Sequence, residues 1–494
     1  SLWLGAIPYL KLAAYCKNFV KKIIIFYKNY KTNGKQINKG GRKMFRKMTN
    51  GSVKLVEKYL PDAFLFAIFL TIITLVLGML STGQSFLTMV SHWGNGVWGL
   101  LAFSMQMTLV LVTGHALASS PPIKKILKKL AKLAKTPGQA IIAVSLVSAI
   151  GSWLNWGFGL VIGALYAQEL AKEVEDVDYR LLIASAYTGF LLWHGGISAS
   201  IPLSLATPGA DLEIMTGGAV TEVIPTSQTI FSPLNLIISA VLIITLPFIN
   251  RAMHPSKEET ITVDRSLLVD DEEAISKLDD SNETPADRIE NSKIITYIIV
   301  AISLIYIVGY FMEYGFALNL NIVNLIFLTF GMLFHQTPRR YIYAVAEATK
   351  GASGIILQFP FYAGIMGMMT GKLEGGASLA ENISNWFVSI STARTFPVFS
   401  FWSAGIVNFF VPSGGGQWAV QGPIMMPAGL KLGVDPAKTA LAIAWGDAWT
   451  NMIQPFWALP ALGIAGLGAR DIMGFCLMVL LYSGIIISLA FLLI

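Results

Sequence analysis

Long stretches of the chain contain no Asp, Glu, Lys or Arg. In the first half they run from Ala63 to Ile123, Thr136 to Gln168, Leu181 to Ala210 and Val223 to Asn250. In the second half they run from Ile294 to Met312, Tyr314 to Pro338, Gly351 to Gly371, Thr395 to Leu430, Ala448 to Ala469 and Ile472 to Ile494. Each has room for at least one helix across a hydrocarbon core of about 30 Å, which takes about 20 residues. The pattern predicts an all-α polytopic membrane protein with about nine to eleven transmembrane segments.

Several of these stretches are interrupted. Ala63 to Leu80 and Val97 to Ala118 read as intact crossings joined by an uncharged external loop, Ser81 to Gly96. Gly138 to Ala167 reads as two arms joined by a break at Asn155, Trp156, Gly157, Phe158 and Gly159. Leu181 to Leu203 is broken between Trp193 and Pro202, and Ile230 to Phe248 is intact. The second half offers Ile294 to Met312, Ile322 to Phe334 and Ala352 to Met369 as spans. Arms at Phe396 to Val411 and Trp418 to Ala428 then flank Pro412, Ser413, Gly414, Gly415, Gly416 and Gln417. Thr439 to Leu467 follows, broken from Asn451 to Pro460, and the chain closes on the span Ile472 to Ile494.

The order of parts repeats. Each half has a two-armed segment with a polar glycine break, a short charged loop holding Val-Asp (Val177-Asp178, Val434-Asp435), and a long helix broken before a proline (Pro202, Pro460). The two Asp-to-Pro spacings agree to within about one residue, and Ala184, Ala186 and Tyr187 align with Ala442, Ala444 and Trp445. Counting crossings puts the first two-armed segment on the cytoplasmic face and the second on the external face. The halves are therefore read as two inverted-topology repeats with broken helices, an arrangement typical of alternating-access transporters.

Charge sets the orientation and the boundaries. Hydrophobic residues make up 54% of the chain and charged ones 13%, and the mean hydropathy is +0.60. The net charge of +7 lies mostly in a tail before Pro61 and in a cluster at Lys124, Lys125, Lys128, Lys129, Lys132 and Lys135, both read as cytoplasmic. That placement argues for a lipid surface and against nucleic acid. The cluster's helical spacing predicts an amphipathic helix lying on the anionic leaflet. Residues 1–60 are expected to be a basic cytoplasmic tail, with Met44 as the natural start and 1–43 of uncertain native status. Residues 61–250 are the first transmembrane repeat, the acidic stretch 251–293 a cytoplasmic linker, and 294–494 the second repeat. Parity places the C-terminus outside.

Several chemistries find no support. Cys16 and Cys476 build no disulfide framework, and the five histidines show no HExxH pattern. No GxxxxGK[ST] loop exists to bind a nucleotide. No cofactor is expected beyond a coupling Na+ or H+, and the chain is not read as an enzyme.

Candidate chemistry sits at the breaks. Interrupted backbone at membrane depth needs partners that hydrocarbon cannot supply, so it must face protein or a wet cavity. Half-helix N-termini suit a carboxylate, and exposed carbonyls suit Na+. The candidate substrate-binding residues are Asn155, Gly157, Gly159, Ser198, Ser200, Ser413, Gly414, Gly415, Gly416, Gln417, Asn451 and Gln454, with Na+ expected near Asn155, Ser413 and Asn451. Asp447, embedded in AWGDAWTNMIQPFW, is the candidate ion-coupling residue, because a carboxylate in an apolar helix implies a function or a partner. His115 and His194 are read first as hydrogen-bonding helix partners, with a proton relay as the alternative. Trp156, Trp193, Trp418, Trp445, Trp449 and Trp457 are candidates for an apolar pocket wall.

KYLPDAFLFAIFLT, LLAFSMQMTLVLVTGHALASS, NWGFGLVIGALYAQELA, VNFFVPSGGGQWAVQGPIMMPA and QPFWALPALGIAGLGARDIMG together closely resemble the bacterial short-chain fatty acid transporter family, the acetoacetate and butyrate uptake proteins. The likeness runs from about Met44 to Ile494. It implies ion-coupled uptake of short-chain carboxylates across the inner membrane. It also implies a place in a wider ion-transporter superfamily of inverted repeats with re-entrant hairpins, often homodimeric. The family supplies no ligand residues that carry over to this chain. A cation or proton antiporter of the same architecture is the competing reading. An intramembrane lipid-modifying enzyme is a third, and the sequence offers it no nucleophile–base pair.

Overall fold

The computed structural model describes residues 63–209, 211–263, 268, 284–408, 411, 413–453 and 456–494. The expected N-terminal tail, residues 264–267 and 269–283 of the acidic linker, Pro412 and Gln454 lie outside these. The described residues form helices and contain no strand.

In chain order the first-half helices are α1 (Ala63–Thr82), α2 (Phe86–Gly96), α3 (Leu101–Ala118), α4 (Pro121–Ala131), α5 (Pro137–Leu154), α6 (Trp156–Glu173), α7 (Tyr179–Thr188), α8 (Ser200–Ala206) and α9 (Pro233–Ala252). A 3-10 segment, Gly189–Gly195, continues α7. The second half contains α10 (Lys293–Tyr314), α11 (Leu320–His335), α12 (Pro338–Lys350), α13 (Ser353–Thr370), α14 (Leu379–Ile390), α15 (Phe396–Asn408), α16 (Gly414–Lys431), α17 (Pro436–Thr450), α18 (Leu459–Ala465) and α19 (Ala469–Leu493).

Six helices or near-continuous helical segments among the described residues are long and apolar enough to cross a membrane alone, and a seventh results if α12 and α13, bent by 52°, count as one. Two further apolar helices, Ala67–Thr82 within α1 and Leu320–His335 (α11), are shorter. α5 and α6 fold back on each other around the single extended residue Asn155. Gly163 lies opposite Ser148, and Gly159 opposite Ser152 and Gly151. α15 and α16 also run antiparallel: Gln417 Nε2 donates to the Ala404 carbonyl at 2.9 Å, and Gln421 Nε2 to Ser403 Oγ at 3.2 Å. These are the two helical hairpins that the two-armed segments predict.

Some expectations are corrected. The stretch 81–96, expected to be a loop, contains a helix, α2, packed against α13: Gly367 and Gly364 of α13 lie against the Gly96 backbone and the Trp93 ring. The lysine-rich helix α4 buries Leu127 and Ala131 and packs on α6, so this apolar stripe faces protein and not lipid. Lys125, Lys129 and Lys132 point outward. The glycine run after Pro412 is the first turn of α16 and not a loop. α14, at the level where the sequence shows only a charged connection, begins with a capping box in which Ser378 and Glu381 satisfy each other's backbone N–H.

The α5–α6 hairpin is tight enough that a side chain at Gly159 would run into the Ser152 backbone. Overpacking of this kind costs about 1–3 kcal/mol or more. Gly159→Leu is expected to lower the melting temperature of the detergent-solubilised protein, which a thermal-shift measurement checks.

Candidate substrate site at the helix breaks

The N-terminus of α16 is built by Ser413, whose Oγ accepts the Gly416 N–H at 3.4 Å and whose carbonyl accepts the Gln417 N–H at 2.7 Å. Glycine is needed here for close approach. A Cβ on Gly414 would lie 2.5 Å from both the Trp193 ring and His194 Cε1, and one on Gly415 would lie 2.7 Å from both Phe103 and Phe359. The N–H groups of Gly414 and Gly415 meet no acceptor among the described residues. They are the unpaired donors that the first turn of a helix leaves over, at its electropositive end.

The N-terminus of α6 is more nearly closed, with only the Gly157 N–H in its first turn lacking an acceptor among the described residues. Asn155 Oδ1 accepts the Phe158 N–H at 2.9 Å, its Nδ2 donates to the Val110 carbonyl at 3.3 Å, and Ser198 Oγ accepts the Trp156 N–H at 3.0 Å. Asn155 and Ser198 repair the break and have little capacity left for a ligand.

The breaks converge on one narrow crevice, with a cavity volume of only about 10 Å³. Trp156 of the first hairpin, Phe190, Trp193 and Ser200 of the second break, Ser413 to Gly415 of the third and Trp457 of the fourth all line it, as do Met107, Ile355 and Phe359. The walls are aromatic and aliphatic. Trp156 packs edge-on against both Trp193 and Trp457, at 5.9 Å and 5.2 Å between ring centroids. The indole N–H groups of Trp156 and Trp193 are buried with no acceptor among the described residues.

Behind the α16 terminus lies a buried polar cluster joining the two halves. His194 Nδ1 is 2.9 Å from Asp447 Oδ2, and both residues are fully buried. His194 Nε2 accepts the Ile201 N–H at 3.3 Å. Asn408 Nδ2 lies within 3.0 Å of the Asp447 carbonyl, Thr450 Oγ1 and Asn451 Oδ1. Asn235 accepts from Trp445 Nε1 at 2.9 Å and donates to the Gly195 and Ile230 carbonyls. The Tyr187 hydroxyl donates to the Asn451 carbonyl at 2.6 Å.

The structure therefore sorts the residues singled out in the sequence. Ser200, Ser413, Gly414 and Gly415 line the crevice. Asn155 and Ser198 are spent on repairing breaks; Asn451 Oδ1 accepts from Asn408 and Gln417 Nε2 holds α15, while Asn451 Nδ2 and Gln417 Oε1 are buried with no partner among the described residues. Gly157, Gly159 and Gly416 are helix-packing positions against Leu111, Ser152 and Tyr362. Asn155, Ser413 and Asn451 each direct the oxygen expected near Na+ at an N–H donor of the protein. Trp418, Trp445 and Trp449 use their indole N–H groups elsewhere, on Ser204, Asn235 and the Leu480 carbonyl. Asp447 is paired rather than facing water at a helix end, and His194 is its partner. Asn235 and Asn408 were not among the candidates. Their signal was a lone amide inside an otherwise apolar stretch.

A membrane-embedded bundle with two helical hairpins and breaks meeting at a crevice is a transporter architecture. The crystal structure of the Alcanivorax borkumensis YdaH transporter has the same overall fold, with a TM-score of 0.51, 13% sequence identity, and coverage of 87% of this chain and 98% of that chain. The model of the short chain fatty acid transporter family matches residues 44–494, and the chain belongs to that family. It is 46% identical over 90% of its length to an Escherichia coli (strain K12) protein named "Putative short-chain fatty acid transporter", covering 98% of that protein. It is 44% identical over 91% of its length to a Haemophilus influenzae (strain ATCC 51907 / DSM 11121 / KW20 / Rd) protein of the same name, covering all of it (100%).

Removing the Asn408 side chain leaves three buried acceptors without their shared donor. Each unsatisfied group costs about 1–3 kcal/mol. Asn408→Ala is expected to destabilise the folded protein more than Asn321→Ala, whose exposed amide oxygen accepts only from Gln106, and parallel thermal melts compare the two.

Proposed function

We propose that the protein is a secondary transporter that carries short-chain fatty acids, with acetoacetate and butyrate as substrates, into the cell across the bacterial cytoplasmic membrane. A gradient of H+ or Na+ drives the accumulation. The N-terminus lies in the cytoplasm, and the halves 61–250 and 294–494 are oppositely inserted repeats that give the site access to each side in turn.

One observation carries this reading. The open N–H groups of Gly414 and Gly415 stand at the electropositive end of α16, beside a crevice walled by Trp156, Trp193, Phe190, Phe359 and Trp457. Donors at a helix N-terminus suit a carboxylate, and apolar walls that part to admit it suit a short acyl chain, worth about 0.8 kcal/mol per buried methylene. A cation antiporter would need oxygen acceptors at the same point, where the backbone presents donors.

Proteoliposomes test the proposal. Labelled two- to six-carbon acids are presented with imposed pH or Na+ gradients, and protein-free vesicles correct for passive entry. Accumulation of butyrate or acetoacetate above equilibrium is expected under one of the gradients, and no protein-dependent uptake of any acid under either would refute it. Gly415→Leu, which pushes a side chain between Phe103 and Phe359, is expected to bring uptake to the protein-free level while the variant still elutes as a monodisperse species.

A further inference from the structure

We propose that His194 and Asp447 form the proton-carrying site of the transporter: the pair takes up one proton when a carboxylate docks at Gly414 and Gly415, and releases it when the carboxylate leaves. This rests on the carboxylate-transport reading above and chooses H+ as the coupling ion.

The pair is fully buried and spans the two halves, with His194 in the 3-10 segment after α7 and Asp447 on α17. Its hydrogen bonds fix the tautomer. Because Nε2 accepts the Ile201 N–H, the neutral imidazole carries its proton on Nδ1 and donates it to Asp447 Oδ2. The other carboxylate oxygen, Oδ1, is buried without a partner among the described residues. With the carboxyl ionised, the pair in this arrangement holds one net negative charge.

The anion site adjoins it. Gly414 approaches the imidazole so closely that a Cβ would lie 3.0 Å from Nε2 as well as 2.5 Å from Cε1. An anion held by the Gly414 and Gly415 N–H groups would then sit beside a buried charge of its own sign, in surroundings that screen poorly. One proton on the pair removes that conflict. The Trp193 ring is stacked on the imidazole at 3.9 Å and 16°, so an imidazolium formed there would meet a π face.

No other ionisable group offers the same service. Of the elements packed against the pair, α5, α8 and α15 have no ionisable side chain. α6, α7, α9, α16, α17 and α19 carry their other charged groups near their ends, at Glu169, Lys172, Glu173, Arg180, Arg251, Lys431, Lys438, Arg470 and Asp471. Within these helices stand Tyr166 and Tyr482, Tyr187, which is bonded to the Asn451 carbonyl, and Cys476; Tyr179, on the first turn of α7, donates to the Ala465 carbonyl. Across the cycle, one carboxylate and one proton enter together and leave together, so no net charge moves.

The test counts protons. The purified full-length protein in detergent, in weakly buffered Na+-free solution near neutral pH, is titrated with choline butyrate while an indicator dye follows pH and calorimetry follows binding. Wild-type protein is expected to take up one proton per butyrate bound. Asp447→Asn and His194→Gln are each expected to reduce that uptake to background, and Asp447→Glu to restore part of it, which a purely structural role would not do. Butyrate binding by wild type without proton uptake, binding only when Na+ is added, or unchanged proton uptake in both variants would overturn the assignment. The wild-type count decides even if the variants fail to fold. No butyrate binding at all would instead strike the carboxylate reading, a result distinct from binding without protons.

Discussion

The architecture depends on one constraint, that a peptide group interrupted inside hydrocarbon must find its hydrogen bond within the protein. Each break described here meets it with a side chain borrowed from another element. Asn155 and Ser198 close the start of α6, Asn235 holds the Gly195 carbonyl at the end of the 3-10 segment, and Tyr187 and Asn408 hold the end of α17. The α18 end is tied in the same way, through Gln168 and Tyr179 to the Ile464 and Ala465 carbonyls. At the α16 terminus the N–H groups of both Gly414 and Gly415 stay without an acceptor among the described residues, and these donors fall at the crevice.

The sequence made the element types and the positions of the breaks legible, because both depend on local pattern. Charge-free stretches report lipid or protein burial, and Asn-Trp-Gly or Pro-Ser-Gly-Gly-Gly runs report interruptions. The amphipathic helix α12 and the surface helix α14 were harder to see, because their periodicity is short and charged. The division of labour at the breaks was not legible. Asn155 and Ser413 look equivalent as polar residues before glycine, yet one closes its helix with help from Ser198 while the other leaves two N–H groups open.

The glycines illustrate the same limit. As a run, Gly414 to Gly416 suggests a flexible loop, whereas the structure uses all three inside a helical turn so that Trp193, His194, Phe103, Phe359 and Tyr362 can press against its backbone. Which neighbour presses is a tertiary fact with no local trace. The pairing of His194 with Asp447 is of that kind too: each is visible as an ionisable group in an apolar stretch, but their 253-residue separation hides that they meet.

The bonds between the halves also bear on movement. His194 to Asp447, Asn235 to Trp445 and Tyr187 to the Asn451 carbonyl all fasten α7, its 3-10 extension and α9 to α17. Each contributes about 1 kcal/mol net when made and costs more when broken without a substitute. Sliding one half past the other along this seam would break them together. A movement that kept these bonds would carry α7, its 3-10 extension, α9 and α17 as one piece.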